Sequence, residues 1–428
     1  MSRVLIWRRI TQGSELDIFS PTDYSTLYDR VRKDWNGQSQ NWGNRLWFQG
    51  IYSALDTGEN TYDFLPEVID ADQINNEYDF IILSLANIFC TEYIHGLRSY
   101  TELFKKIRIP IYVIACGVQA DSYDDLGNVI QAIETESMQF IQSIYNTGGE
   151  FALRGYFTNE FFERLGFHSA VVTGCPSLYQ FGPDFVVTTE KEDISKMHPI
   201  FNGTIKPFEK LLGVYPDSIY MDQCDFFFPI YQPDYLRDVD CRFMLRFVDC
   251  FGKTAAQLLS EGRIIMIADM NDWWNYLQDM GFNYAFGMRI HGTIMSLLSG
   301  IPATIATIDS RTREMAEFFD IPRINMERHH CFTQKELLEA YQVMDYTAFN
   351  DGYRQRFESF KQFLVEHGIV SKVNTNNKFF VRGGSRSFES IIDSKRAEFA
   401  DLSIKLKKAA PILNSAQLFR KVKRRVIS

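Results

Sequence analysis

YAFGMRIHGTIMSLLSGIPATIATIDSRTREMAEFFD, residues 284–320, alternates two kinds of pattern. YAFGM (284–288) is a short apolar run of strand type. TIMSLLSG reads as a helix, with Gly300 as its C-terminal stop. PATIATID (302–309) is strand-like again, and SRTREMAEFFD has helical spacing. Strand–helix–strand order requires crossovers, and right-handed crossovers lay the strands parallel. Ligands of such sheets bind beyond the carboxyl ends of the strands. Arg289 and His291 stand at one such end, and Arg311 and Arg313 follow the next.

The same rhythm extends outward. RIIMIAD (263–269) precedes a helical NDWWNYLQDMG. In the first half, YDFIILSL (78–85), IPIYVIACG (109–117), FALRG (151–155) and AVVTG (170–174) read as strands. Between them lie helical stretches at 97–107, at 125–145, and in FTNEFFERLGF, which Gly166 ends. The rhythm lapses around 181–210. The sequence therefore predicts two α/β domains: an N-terminal extension over 1–35, domains over 36–185 and 186–345, and a polar C-terminal extension over 346–428.

Bulk properties agree with a folded two-domain chain. Its 428 residues exceed one ordinary core. Apolar residues make up 45% and charged residues 23%. A net charge of −9 argues against a nucleic-acid partner. The seven cysteines form no CxxC, and several sit in apolar runs, so packing in a reducing compartment is expected. No apolar run is long enough to span a bilayer. A cytoplasmic protein is expected. The last 25 residues, 404–428, hold eight basic residues and no acidic one. They read either as a peripheral contact with anionic lipid, at about 1 kcal/mol per basic residue, or as an ordinary solvated end.

Several strand ends could carry chemistry. At GMRIHG, a helix opening at Gly292 and Thr293 would offer free N–H groups to an anion. Arg289 would grip that anion and His291 would move a proton. The competing reading pairs Arg289 with a structural carboxylate and makes His291 a cap. Arg311, in a helix first turn where cations are disfavoured, is easier to explain beside a bound anion. Arg313 could instead pair with Glu314 or Glu317. Arg154 ends a short strand. Asn41, Gly43 and Asn44 lead into a helix, with Gly43 allowing close approach and Asn44 as a candidate N-cap. Gln119 lies at another strand end. Cys175 reads as packing. Trp42, Trp273 and Trp274 could stack on a sugar or fill core. No Walker A, GxGxxG or HExxH motif occurs, and His329 and His330 lack partners at metal spacing, so no metal site is expected.

In order, NWGN, IPIYVIACGVQ, LRGYFTNEFFERLGF, VVTGCPSLY, GMRIHGTIMSLLSGIPA and DSRTRE resemble the polysaccharide pyruvyltransferase family over roughly residues 36–325. The resemblance implies a GT-B-like fold, two Rossmann-like domains facing across a cleft. It implies transfer of a pyruvyl unit from phosphoenolpyruvate to two hydroxyls of a glycan or lipid-linked precursor, as a cyclic ketal, with no tightly bound cofactor. The family's RxH motif maps onto Arg289 and His291, and its LRGYFT-like arginine onto Arg154. Where the family commonly has aspartate, this chain has Asn44, which cannot act as a general base. The alternatives are a GT-B glycosyltransferase using a nucleotide sugar, or a non-catalytic glycan-binding relative.

Overall fold

A computed structural model describes residues 1–9, 41–55, 57–65, 68–188, 191–223, 257–258, 261–326, 330–376 and 379–383. The basic tail, His329, and Cys224, Cys241 and Cys250 lie outside the described residues.

The first domain contains β1 (Arg3–Arg9), α1 (Gly43–Leu55), β2 (Thr61–Leu65), α2 (Ala71–Glu77), β3 (Phe80–Leu83) and α3 (Ile94–Phe104). It continues through β4 (Ile111–Cys116), α4 (Leu126–Tyr145), β5 (Glu150–Leu153), α5 (Tyr156–Arg164) and β6 (Val171–Val172). The second contains β7 (Pro199–Asn202), α6 (Ile205–Val214), β8 (Ile219–Asp222), β9 (Ile264–Met266), α7 (Met270–Asp279) and β10 (Tyr284–Gly287). It continues with α8 (Ile290–Leu298), β11 (Ala303–Thr307), α9 (Ser310–Phe319), β12 (Arg323–Asn325), α10 (Gln334–Val343) and α11 (Thr347–Glu366).

Every pairing within the two sheets is parallel. The orders are β2-β1-β3-β4-β5-β6 and β12-β11-β10-β7-β8-β9. The second is the Rossmann order, and each order reverses once, between β1 and β3 and between β7 and β10. The expected two Rossmann-like domains are therefore present.

Alternation explains the first sheet. In β1, Val4 and Ile6 face the core shared with the second domain, while Leu5 and Trp7 face the opposite layer. In β4, Tyr112 and Ile114 take the shared side, and Val113 and Cys116 the other. A strand buried on both faces needs an unbroken apolar run, and VLIW and IYVIAC provide one.

Two boundary expectations need correction. The 1–35 segment is not a separate extension: Arg3–Arg9 is an inner strand, paired with both β2 and β3. Its apolar core is only four residues long, too short to stand out beside polar surroundings. Nor is 346–383 peripheral. Phe349, Tyr353, Phe357 and Phe360 of α11 are buried, and the chain beyond α11 returns to the first domain. There Tyr112 Oη donates to His367 O (3.2 Å), Asn60 Nδ2 donates to Ile369 O (2.7 Å), and Asn374 N donates to Ala54 O (3.1 Å). The lapse at 181–210 also hides β7, a central strand of only four residues, PIFN.

Trp42 and Trp273 are buried in the core, and the half-buried Trp274 packs against it, its ring tilted against Phe181 and Phe380 and its Nε1 donating to Leu298 O at 2.9 Å. Cys175 is likewise fully buried, and burial pushes its thiol pKa up.

Gly174 tests the packing between domains. Its φ is +77°, and a Cβ there would lie 2.3 Å from Phe318 Cε1 of α9. Gly300 has φ +78° with nothing within 4 Å. Gly300→Ala should cost about 1 kcal/mol from backbone strain alone, and Gly174→Ala roughly 3 kcal/mol once overpacking is added. Urea unfolding of the two variants would show this difference.

Candidate active site

Parallel strands in two facing sheets bring their carboxyl ends to one place. The cavity found there has a volume of about 540 Å³. Ala86 and Asn87 follow β3, and Arg154 follows β5. From the second domain come Gly203, Thr204 and Lys206 after β7, Gln223 after β8, Met288 to His291 after β10, and Asp309, Arg311 and Thr312 after β11. Asn41 and Asn44 enter from the start of α1. Both strand-order reversals thus open on the same space, which is where doubly wound sheets bind ligands.

The helix ends around the cavity are not equivalent. Asp309 caps α9, accepting from Thr312 N at 3.0 Å. α8 and α6 begin at Arg289 and Thr204 with no side-chain cap. Their first N–H groups therefore suit an anion from outside the chain. The described lining holds four cations (Arg154, Lys206, Arg289, Arg311) and one carboxylate, Asp309.

His291 sits among these charges with only 7% of its surface exposed. Burial, then Arg154 and Arg289, depress its pKa from 6.5 to about 3. The ring is therefore neutral at physiological pH. Arg154 is 4% exposed. Its Nη1 donates to Asn87 Oδ1 at 2.6 Å, and its buried Nε has no hydrogen-bond partner. Arg289 N donates to Asn202 Oδ1 at 3.1 Å, which fixes the turn carrying Arg289 and His291.

Of the residues singled out in the sequence, Asn41, Asn44, Arg154, Arg289, His291 and Arg311 line the cavity together. The others have different places. Gly43 admits neighbours: a Cβ there would lie 2.5 Å from Gln223 Oε1 and 2.9 Å from His291 Cβ. A Cβ on Gly292 would lie 2.3 Å from Gln223 Nε2. Thr293 Oγ1 donates to Arg289 O at 3.1 Å, within its own helix. Gln119 is absent from the lining, and its N donates to Phe89 O at 3.0 Å. Asn44 lies inside α1 and so is not its N-cap; Asn41 Oδ1 accepts from Gly43 N, the first residue of the helix, at 3.1 Å.

Arg311 has its anion within the chain: Nη2 lies 2.5 Å from Asp309 Oδ2. Burial raises the Asp309 pKa, but Arg311 and the Thr312 hydrogen bonds hold it below the ordinary carboxylate range. Arg313 pairs with Glu317 (2.8 Å) and covers the Tyr123 ring at 4.1 Å. His330 pairs with Glu336 (2.7 Å). Among the described residues, no group of three or more His, Cys, Asp or Glu could hold a metal ion.

Sequence reasoning missed Asn87, Asn202, Lys206 and Gln223. Each follows or ends one of three strands, all of only four residues. Only the strand-end rule, applied to strands already located, could have found them.

Two facing Rossmann-like domains with a basic cavity at their switch points define a GT-B-like two-domain α/β fold with one interdomain cleft. The chain matches the family model "Polysaccharide pyruvyl transferase" over residues 13–310, and it belongs to that family. A search of curated proteins finds no match. Solved structures are similar at low identity. MnaA of S. aureus, in a co-structure with UDP, has a TM-score of 0.41 and 11% identity, covering 87% of this chain and 98% of that one. The Methanocaldococcus jannaschii UDP-GlcNAc 2-epimerase, in complex with UDP-GlcNAc and UDP, scores 0.40 at 10% identity, covering 86% and 100%. The glycosyltransferase SnogD of Streptomyces nogalater scores 0.32 at 9% identity, covering 92% and 99%. Among the described residues, no helix is long and apolar enough to cross a membrane.

Burial is the larger cause of the His291 shift and persists in an arginine variant, so removing either charge relieves only part of it. Arg154→Gln and Arg289→Gln should each move the His291 pKa up from about 3 toward 6.5, read by NMR titration of the ring. The folded ring refuses a proton that the unfolded chain accepts, so this residue's contribution to stability is lost as pH falls from about 6.5 toward 3. His291→Gln should flatten that part of the stability profile.

Proposed function

We propose that the cavity binds phosphoenolpyruvate and transfers its pyruvyl unit to two hydroxyls of a glycan or lipid-linked glycan precursor, forming a cyclic ketal. The observation that carries this reading is a neutral His291 flanked by Arg154 and Arg289 in a cationic cavity. The donor brings a carboxylate and a phosphate, both strong acceptors for guanidinium groups and uncapped helix N-termini. We assign Arg154, Arg289 and the N-terminus of α8 to those anions. Arg311, already neutralised by Asp309, serves mainly to hold Asp309 and shape the wall.

The first acceptor hydroxyl adds to the donor's substituted carbon while the terminal methylene takes a proton and becomes a methyl group. The carbon–oxygen bond to phosphate then breaks, and phosphate leaves with the electron pair. The second hydroxyl attacks the same carbon and closes the ring. Two hydroxyl protons are lost; one is balanced at the methyl group and the other at phosphate. His291 moves the proton at the reacting carbons. Burial and the two arginines together make the ring too acidic to hold one. Donor anions offset the arginine part of that effect and raise its basicity, so proton handling is coupled to donor binding. Asn44, an amide, hydrogen-bonds in the cleft and takes no proton.

Release of phosphate from phosphoenolpyruvate, dependent on a glycan acceptor, tests this reading. His291→Ala and Arg289→Ala should each lower kcat/KM by about 100-fold or more in a chain that remains folded by circular dichroism. Turnover with a nucleotide sugar and none with phosphoenolpyruvate would assign the cavity to glycosyl transfer instead. Full activity in His291→Ala would remove the proton-handling role.

A further inference from the structure

The DSRTRE segment was read in the sequence as an anion-binding helix start. Its actual contacts cross to the other domain. Ser310 N donates to Ala120 O (3.1 Å), Ser310 Oγ accepts from Ala120 N (2.9 Å), and Ser310 Oγ donates to Val118 O (3.2 Å). One turn on, Glu314 reaches the start of α5. Its Oε1 accepts from Thr158 N at 2.6 Å and its Oε2 from Thr158 Oγ1 at 3.1 Å. Thr158 Oγ1 in turn accepts from Val118 N at 3.1 Å.

α5 begins at Gly155 without a side-chain cap of its own. Glu314 fills that role from the second domain. The approach depends on Gly155, where a Cβ would lie 2.3 Å from Glu314 Cγ. Gly155 directly follows Arg154, so the carboxylate is seated on the turn that delivers Arg154 to the cavity. Glu314 is 1% exposed and absent from the cavity lining. A carboxylate so deeply buried is costly unless its charge is used.

We propose that Glu314 is a positioning residue: it docks α9 on the turn that carries Arg154, and its charge is coupled to whatever anion Arg154 holds. The inference rests on the proposed binding of an anion at Arg154, but not on that anion being phosphoenolpyruvate.

The groups that act on Glu314 come from every neighbouring element. They are Arg154 beyond β5, Thr158 on α5, Cys116 on β4, Tyr123 in the turn before α4, and Glu317 on α9 itself. Burial raises the Glu314 pKa to about 7, against the pull of the Thr158 hydrogen bonds and Arg154. The sign of the coupling follows. An anion at Arg154 repels an ionised Glu314 and favours the protonated acid. Anion affinity should therefore fall as pH rises through about 7. Stability moves in the same direction, because the folded acid keeps a proton that the unfolded one loses from 4.5 upward.

Sulfate is a suitable probe because its charge is constant over this pH range. Its affinity can be measured by calorimetry between pH 5.5 and 8.5 in the full chain carrying His291→Gln, so that the imidazole contributes nothing. Sulfate binding should weaken about fivefold across a step centred near 7, the lower end of coupling between linked sites. Adding Glu314→Gln should abolish the step and leave affinity at its low-pH value. Thr158→Val, which keeps the acid but removes one of its hydrogen bonds, should move the step to higher pH. The same step in the Glu314→Gln variant, or an unmoved step in Thr158→Val, would overturn the proposal. A purely structural role would change the melting temperature and leave the pH profile alone. Sulfate binding with the predicted step but no binding of phosphoenolpyruvate would sink the donor assignment and leave this inference standing. Donor turnover with pH-independent sulfate binding would do the reverse.

Discussion

Two parallel sheets share one site only if their carboxyl edges are held face to face. In this chain much of that restraint comes from a small polar contact, Ser310 and Glu314 of α9 seated on the strand ends around Val118 and Gly155. The apolar core continues between the domains, but apolar packing is not directional. Hydrogen bonds with one donor and one acceptor each fix the register. Gly155 and Gly174 are the corresponding sequence requirements, since a Cβ at either would strike α9 at 2.3 Å.

With the edges facing, electrostatics does the rest. Helix N-termini, arginines and a histidine all arrive at one buried space, and the charged residues described in its lining are nearly all cations. Asp309 is the exception, and it is already occupied by Arg311 and the start of α9. Burial, with Arg154 and Arg289 adding to it, keeps His291 neutral well below its ordinary range. On the proposed reading, an anionic donor offsets part of the arginines' field and so changes the proton affinity of the groups around it, which would make donor binding and proton handling one linked event.

The sequence shows some of this plainly. Long apolar runs such as IYVIAC mark buried strands, and strand–helix alternation marks the parallel sheets. Arg154, Arg289 and His291 lie beyond strand ends, so the strand-end rule reaches them. The unread parts have a common cause. β1, β7 and β8 are short, and a four-residue apolar stretch is hard to distinguish in a chain rich in apolar residues. Losing β7 meant losing Asn202 and Lys206. The segment over 1–35 looked separate because the partners of β1 are residues 61–65 and 80–83, distant in the sequence. One cap was misplaced: Asn44 lies inside α1, and it is Asn41 whose side chain accepts from Gly43 N. Such an offset depends on one dihedral or one rotamer, which composition and spacing do not encode.

DSRTRE shows how far a motif can be read without coordinates. Arg311 in the first turn of a helix suggests an external anion, because a cation there opposes the helix dipole. Its nearest anion is internal, Asp309, while Arg313 pairs with Glu317, one of the two partners the sequence offers. The residue that gives the segment its place in the site is the one least noticeable in the sequence, Glu314, whose partner Thr158 is 156 residues away. A carboxyl group buried between domains could have been replaced by an apolar side chain at little cost to packing. Its position beside Arg154 gives it a use that no apolar residue has, because only a titratable group can register whether that arginine's charge has been met.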